Sequence, residues 1–112
     1  MKSPIIFDSE YQFCLLLWES EPIRSMDLVR LCKNRINWSK STTYTVIRRL
    51  SERGIVEINN TIVRSLISKQ TIQDTLLREF IENYYNNSLS DFVDSIVRIG
   101  NECLSSQQKL AE

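Results

Sequence analysis

Residues 37–54 read N-W-S-K-S-T-T-Y-T-V-I-R-R-L-S-E-R-G, and the rest of the chain is organised around them. The stretch has the marks of one capped helix with two unlike faces. Ser39 suits the N-cap, because its hydroxyl can accept from a free backbone N–H of the first turn. Gly54 suits the stop, because it enters the left-handed conformation without a Cβ clash. Between them Thr43, Val46, Ile47 and Leu50 fall at i, i+3, i+4 and i+7, which makes a core stripe. The opposite face carries Ser41, Tyr44, Thr45 and Arg48, with Thr42 and Arg49 on its flanks. Short hydroxyls and guanidinium groups can donate to phosphates and to base edges. The same pattern, taken alone, also fits an ordinary basic amphipathic surface helix. Its neighbours decide between the two.

Upstream, a first helix is expected from Asp8 or Ser9, either of which can cap, to about Ser20. Its stripe is Tyr11, Cys14, Leu15 and Trp18, widened by Phe13, Leu16 and Leu17. Glu21-Pro22 breaks it. A second helix is expected from a Ser25 cap to about Asn34, with Arg35-Ile36-Asn37-Trp38 linking it to the Ser39 helix. Two short helices in tandem, the second basic and rich in hydroxyls, form the helix-turn-helix pattern, in which the second helix enters the major groove. Downstream the period changes. Ile55-Val56-Glu57-Ile58 and Thr61 to Ile67 are strand-like, and Asn59-Asn60 between them suits a tight turn. Three helices and then a hairpin is the order of a winged helix. Arg64 and the amides of Asn59 and Asn60 are candidates for phosphate or minor-groove contact; plain turn chemistry is the alternative for the two asparagines.

From Ser68 the chain reads as helix again, with Ile72, Leu76, Leu77, Phe80, Ile81, Tyr84 and Tyr85 at three- and four-residue spacing. Asn86-Asn87 interrupts it. Ser88-Leu89-Ser90-Asp91 then reads as a capping box, opening a helix with Leu89, Phe92, Val93, Ile96 and Val97 that Gly100 is expected to end. These helices carry too much apolar surface to stand free and are too few to enclose a core of their own, so they must pack on the N-terminal domain or on another chain. Burying one large apolar side chain contributes roughly 1.5–3 kcal/mol, so ten of them can support a dimer after ordering costs. Leu76, Phe80, Ile81, Tyr84, Leu89, Phe92, Val93 and Ile96 are the candidate dimerisation residues.

The 112 residues suit a single modest domain or a small domain with an appendage. At 42% hydrophobic and 25% charged, with two glycines and two prolines, the composition is that of a helix-rich globular chain. No apolar run reaches the length of a membrane span, and residues 1–8 lack the apolar region of a signal peptide, so the expected location is the cytoplasm, with no membrane partner. Net charge is zero, but it is unevenly placed. Residues 1–64 hold ten Lys and Arg against seven Asp and Glu, and residues 65–112 hold four against seven. Within 30–53 lie Arg30, Lys33, Arg35, Lys40, Arg48, Arg49 and Arg53 against the single acid Glu52. Local clustering of this kind is the electrostatic footprint of a nucleic-acid binder.

Nothing in the chain supports an enzyme. It has no histidine, no metal-ligand spacing and no phosphate loop, and its carboxylates are expected on exposed faces. No metal and no cofactor is expected. The three cysteines, Cys14, Cys32 and Cys103, form no C-x-x-C pair. Cys14 and Cys32 read as reduced core fillers; Cys103 fits a surface thiol or an interface.

Three stretches resemble one known family. F-D-S-E-Y-Q-F-C-L-L-L-W-E-S-E-P (7–22), W-S-K-S-T-T-Y-T-V-I-R-R-L-S-E-R-G (38–54) and L-R-E-F-I-E-N-Y-Y-N-N-S-L-S-D-F-V (77–93) are similar to the opening helix, the recognition helix and the start of the dimerisation region of the penicillinase-repressor family of bacterial transcription regulators. The resemblance implies a mainly α fold with a small β-hairpin. A winged helix-turn-helix domain (1–67) would precede a helical dimerisation domain (68–112). It further implies a homodimeric repressor on a palindromic double-stranded DNA operator. By motif match, DNA contact falls on Ser39, Lys40, Ser41, Thr42, Tyr44, Thr45, Arg48 and Arg49, with Arg49 alternatively bracing the fold. The chain departs from the family in several places. Lys40 stands where many relatives have proline, and the wing is short. Ser95-Ile96 stands where β-lactam-responsive members carry the Asn-Phe bond cut by a sensor-linked protease, so a protease partner is left open. Cys103 alone replaces the paired C-x-C motifs of copper-responsive relatives. Two rival readings remain at this level: a winged-helix protein-interaction module, and a regulator switched by a ligand.

Overall fold

In a computed structural model, residues 6–111 are described, with side chains described through residue 104. The elements in order are α1 (Asp8–Ser20), β1 (Ile23–Arg24), α2 (Ser25–Ile36), α3 (Lys40–Glu52), β2 (Val56–Asn59), β3 (Ile62–Ser65), α4 (Lys69–Tyr84) and α5 (Leu89–Ala111). The fold is mainly α with a small antiparallel sheet, the winged helix-turn-helix arrangement. Residues 1–5 of the expected extended lead-in lie outside the described residues. The chain divides into two compact units, Met1–Thr75 and Leu76–Glu112.

The first unit is built on one apolar core. Phe13 and Leu17 of α1, Leu28 and Cys32 of α2, Leu50 of α3, and Ile55, Val56 and Val63 of the hairpin are almost fully buried. Ile72 closes the core from the second turn of α4. Cys14 is buried as well, and both internal thiols fill space as expected. The buried stripe of α1 is centred on Phe13, Cys14, Leu16 and Leu17; Tyr11, Leu15 and Trp18, expected within it, are only half-buried. Trp18 has a reason to sit at the edge: its indole N–H donates to the Ile67 carbonyl at 3.1 Å, tying α1 to the strand exit.

Several local details differ from expectation. Neither Asp8 nor Ser9 caps α1. Phe7 is the N-cap, and its backbone N–H donates to Glu10 Oε1 at 3.1 Å. Ser25 is the first residue of α2, not its cap, which is Arg24. α2 continues to Ile36, where Asn37 turns left-handed (φ 55) and Trp38 N–H bonds back to the Cys32 carbonyl. The connection to α3 is therefore Asn37-Trp38-Ser39, tighter than the four-residue link expected. Trp38 lies parallel to Phe13 with ring centroids 5.9 Å apart, which anchors that turn on the core.

The sheet has three strands in the order β1-β3-β2. The hairpin pairs Val56 with Ser65 and Asn59 with Ile62, so the turn is Asn60-Thr61, one residue later than expected. Both turn residues have positive φ, 53 and 67. Two-residue β1 was not visible in the sequence. It pairs Ile23 with Val63 and Arg24 with Ile62. Ser25 N–H continues the pairing to the Thr61 carbonyl at 2.8 Å.

In the second unit, Asn86 (φ 49) and Asn87 (φ 61) reverse the chain between α4 and α5. Ser88 caps α5 by accepting from Asp91 N–H at 3.3 Å. Phe80, Tyr84, Tyr85 and Phe92 form an aromatic cluster across the turn, with the Tyr85 and Phe92 centroids 5.4 Å apart. Gly100 does not end α5, which runs on to Ala111. A lone glycine costs about 1 kcal/mol in a helix, too little to stop a long one.

Candidate nucleic-acid interface

α3 begins as its sequence requires. Ser39 Oγ accepts from Thr42 N–H at 3.2 Å and donates to Thr42 Oγ1 at 2.9 Å. Ser41 Oγ lies 3.3 Å from Ser39 Oγ, so three hydroxyls form one cluster over the first turn. The buried Thr43 hydroxyl is satisfied by the Ser39 carbonyl at 3.1 Å. At the other end Gly54 takes φ 75. Thr43, Val46, Ile47 and Leu50 face the core, which fixes the rotation of the helix. Its outer face then carries Lys40, Ser41, Thr42, Arg48 and Arg49 exposed, with Tyr44 and Thr45 half-buried.

Tyr44 does not point freely outward. Its hydroxyl donates towards Ser25 Oγ at 3.3 Å and lies 3.4 Å from Met26 Sδ, at the first turn of α2. On the wing, Arg64 Nε donates to Glu57 Oε2 at 2.8 Å across the hairpin, so this arginine is shared with a carboxylate. Asn59 and Asn60 are exposed.

The basic cluster of residues 30–53 separates into two groups. Arg30 pairs with Asp27 at 2.9 Å within α2. Arg53 pairs with Glu10 at 2.9 Å. Glu10 is 4% exposed, against the expectation that the carboxylates lie on exposed faces. It is buried because it serves both the open end of α1 and Arg53. Arg53 is thus a brace between α3 and α1, a role sequence reasoning missed because its partner lies 43 residues away. Lys33, Arg35, Lys40, Arg48 and Arg49 enter none of the three ion pairs among the described residues. All five are exposed. A groove lined by Val29, Arg30, Lys33, Asn34, Ser39 and Lys40 runs between α2 and the start of α3.

The family model described as penicillinase repressor matches residues 6–110. The chain belongs to the penicillinase repressor family. That match covers both units and nearly the whole sequence, and the fold is the one the resemblance implies. The family is one of DNA-binding transcriptional repressors, regulators and not enzymes. No curated protein sequence matches the chain. Among the described residues, no helix is long and apolar enough to cross a membrane. Within this repressor-family chain, α3 is the second helix of the tandem pair, and its outer face carries Lys40, Ser41, Thr42, Arg48 and Arg49.

Of the expected dimerisation residues, Phe80, Tyr84, Leu89, Val93 and Ile96 are exposed, and Leu76, Ile81 and Phe92 are half-buried. None of residues 76–104 is buried.

Proposed function

We propose that the protein is a sequence-specific repressor that binds a palindromic double-stranded DNA operator as a homodimer. One observation carries the DNA-binding part of this reading. The basic residues split into those paired with carboxylates and those that enter no ion pair among the described residues, and the latter include Lys40, Arg48 and Arg49 on the outer face of α3. A helix presented in this way suits the major groove. Ser39, Ser41 and Thr42 suit phosphate oxygens at its N-terminus, and Arg48 and Thr45 suit base edges. Arg49 and Lys40 suit phosphates. Arg64 suits a phosphate only if it leaves Glu57.

The dimer is supported by the second unit, where Phe80, Tyr84, Leu89, Val93 and Ile96 are exposed. Two recognition helices joined by such a unit would read two half-sites, and linkage multiplies their separate affinities. Repression would be steric, the bound dimer obstructing polymerase. A sensor-linked protease stays unassigned as a partner.

The test is a selection of random duplex DNA on the purified full chain at moderate salt, with stoichiometry measured on the enriched site. A palindrome bound by two chains, its half-sites one helical turn or a multiple apart, is the expected result. No enrichment above weak salt-sensitive binding would overturn the reading and favour a protein-interaction module.

A further inference from the structure

Ser25 is bonded to two different parts of the first unit at once. It is 5% exposed. Its backbone N–H donates to the Thr61 carbonyl at the hairpin turn, at 2.8 Å. Its hydroxyl oxygen accepts from the Tyr44 hydroxyl on the outer face of α3, at 3.3 Å. Met26 Sδ, next in sequence, lies on the same Tyr44 hydroxyl. The tip of the wing, the start of α2 and the middle of α3 therefore meet at one residue. Thr61 is itself held in the left-handed region at φ 67, unusual for a β-branched side chain. A backbone kept there needs fixed partners, and Ser25 N–H is one of them.

We infer that Ser25 is a positioning residue for sequence recognition: it holds the Tyr44 side chain in place on α3 and registers α3 against the wing. The inference rests on the proposed DNA-binding role of α3. It also assigns Tyr44 a different part from the other outer-face residues. With its hydroxyl turned towards Ser25 and Met26, Tyr44 meets DNA with its ring edge, and its hydroxyl serves the protein. Ser25 acts through Tyr44 and through the wing turn, and itself touches no base.

Ser25→Ala removes the hydroxyl, keeps the backbone bond to Thr61, and places a good helix former at the first position of α2. Tyr44→Phe removes the other partner and keeps the ring. The two variants and the double variant would be compared with the wild-type chain on the selected duplex and on random duplex, across a salt series, with thermal melting alongside. Each single variant should bind the selected duplex about three- to tenfold more weakly, the worth of one neutral hydrogen bond. For Ser25→Ala, random-duplex affinity and the salt slope should not change, because no phosphate contact is touched. The double variant should be no weaker than either single one, because both remove the same link. Equal losses on both duplexes, additive losses, or no loss after Ser25→Ala would overturn the inference while leaving the repressor reading intact. A wild-type chain that enriches no duplex overturns both.

Discussion

Arg53, at the C-terminal end of α3, donates through its guanidinium to the Glu10 carboxylate in the first turn of α1, at 2.9 Å. The Glu10 side chain is 6% exposed and the Arg53 side chain 32%. This pair ties the C-terminal end of α3 to the first turn of α1. Removing Arg53 leaves a carboxylate buried with only the Phe7 N–H, and such orphaning is costly. Arg53→Ala should lower unfolding stability by about 2 kcal/mol, at the lower end for a pair that is partly hydrated. Glu10→Gln keeps a hydrogen-bonding group and should cost about half as much. Urea denaturation measures both. A loss under a few tenths of a kcal/mol for Arg53→Ala would show that the pair is not formed in solution.

Thr61 takes φ 67 in the second position of the hairpin turn. A β-branched residue in that region carries steric strain that asparagine tolerates better. Thr61→Asn should therefore stabilise the protein by roughly 0.5–1 kcal/mol, since the carbonyl that accepts from Ser25 is unaffected. A higher urea midpoint at unchanged slope is the expected signature. A lower midpoint would mean that the threonine side chain makes contacts worth more than the strain.

The features legible in the sequence were local. Ser39, the apolar spacing from Thr43 to Leu50, and Gly54 lie within one stretch, and each acts on its own turn of α3. The features missed depend on distant partners or on weak local signals. β1 is two residues long, too short for a period, and exists because Val63 and Ile62 offer it an edge. Asparagine's tolerance of positive φ points to a turn at Asn59-Asn60; the pairing of Val56 with Ser65 and Asn59 with Ile62 puts it at Asn60-Thr61. Arg53 read as part of a DNA-facing cluster because its charge is visible in sequence and Glu10 is not near it. The basic residues accordingly divide into Arg30, Arg53 and Arg64, held by carboxylates, and Lys40, Arg48 and Arg49, which enter no ion pair among the described residues.

That division makes opposite predictions for Arg48 and Glu57. If Arg48 reaches a guanine edge, Arg48→Ala should cost about 1–3 kcal/mol on the selected operator and relax the preference at one base pair. Glu57→Gln releases Arg64 and removes a negative charge from the wing. Stability should barely change, because exposed pairs contribute about 0–1 kcal/mol. Affinity for random duplex should rise, with a steeper salt dependence. Filter binding across a salt series distinguishes the two. An unchanged slope after Glu57→Gln would place Arg64 away from DNA.

The Cys14 thiol is pushed up from 9.0 to about 12, chiefly by burial and then by the charge of Glu10, and burial raises Cys32 as well. A raised thiol means that the folded chain holds a proton the unfolded chain releases. Its stabilising contribution is complete below pH 9.0 and falls as pH rises towards 12. Cys14→Ala should therefore flatten the loss of stability between neutral and alkaline pH, measured by urea midpoints. Reactivity follows the same order, since the thiolate is the reactive form. A disulfide reagent at neutral pH should modify exposed Cys103 at once, and Cys14 and Cys32 only as the chain unfolds. Rapid reaction of all three would show that the core opens readily.

The second unit makes the most direct demand on a partner. Leu89, Ile96 and Leu104 of α5 are 63%, 50% and 58% exposed, and no residue from 76 to 104 is buried. Uncovered apolar residues at helical spacing lose free energy to water that pairing would recover. In the proposed homodimer Ile96 becomes buried. Ile96→Glu then forfeits roughly 1.5–3 kcal/mol of burial and adds the cost of desolvating a charge. Dimer dissociation should rise by on the order of a hundredfold or more. Sedimentation over a concentration series measures it, with circular dichroism to show that the helices of the first unit persist. Operator affinity should fall with dimerisation, because the two half-sites are no longer linked, while affinity for a single half-site should be kept. A wild-type chain that stays monomeric at high concentration, or a variant that keeps full operator affinity, would refute the dimeric mechanism and leave α3 as the sole determinant of binding.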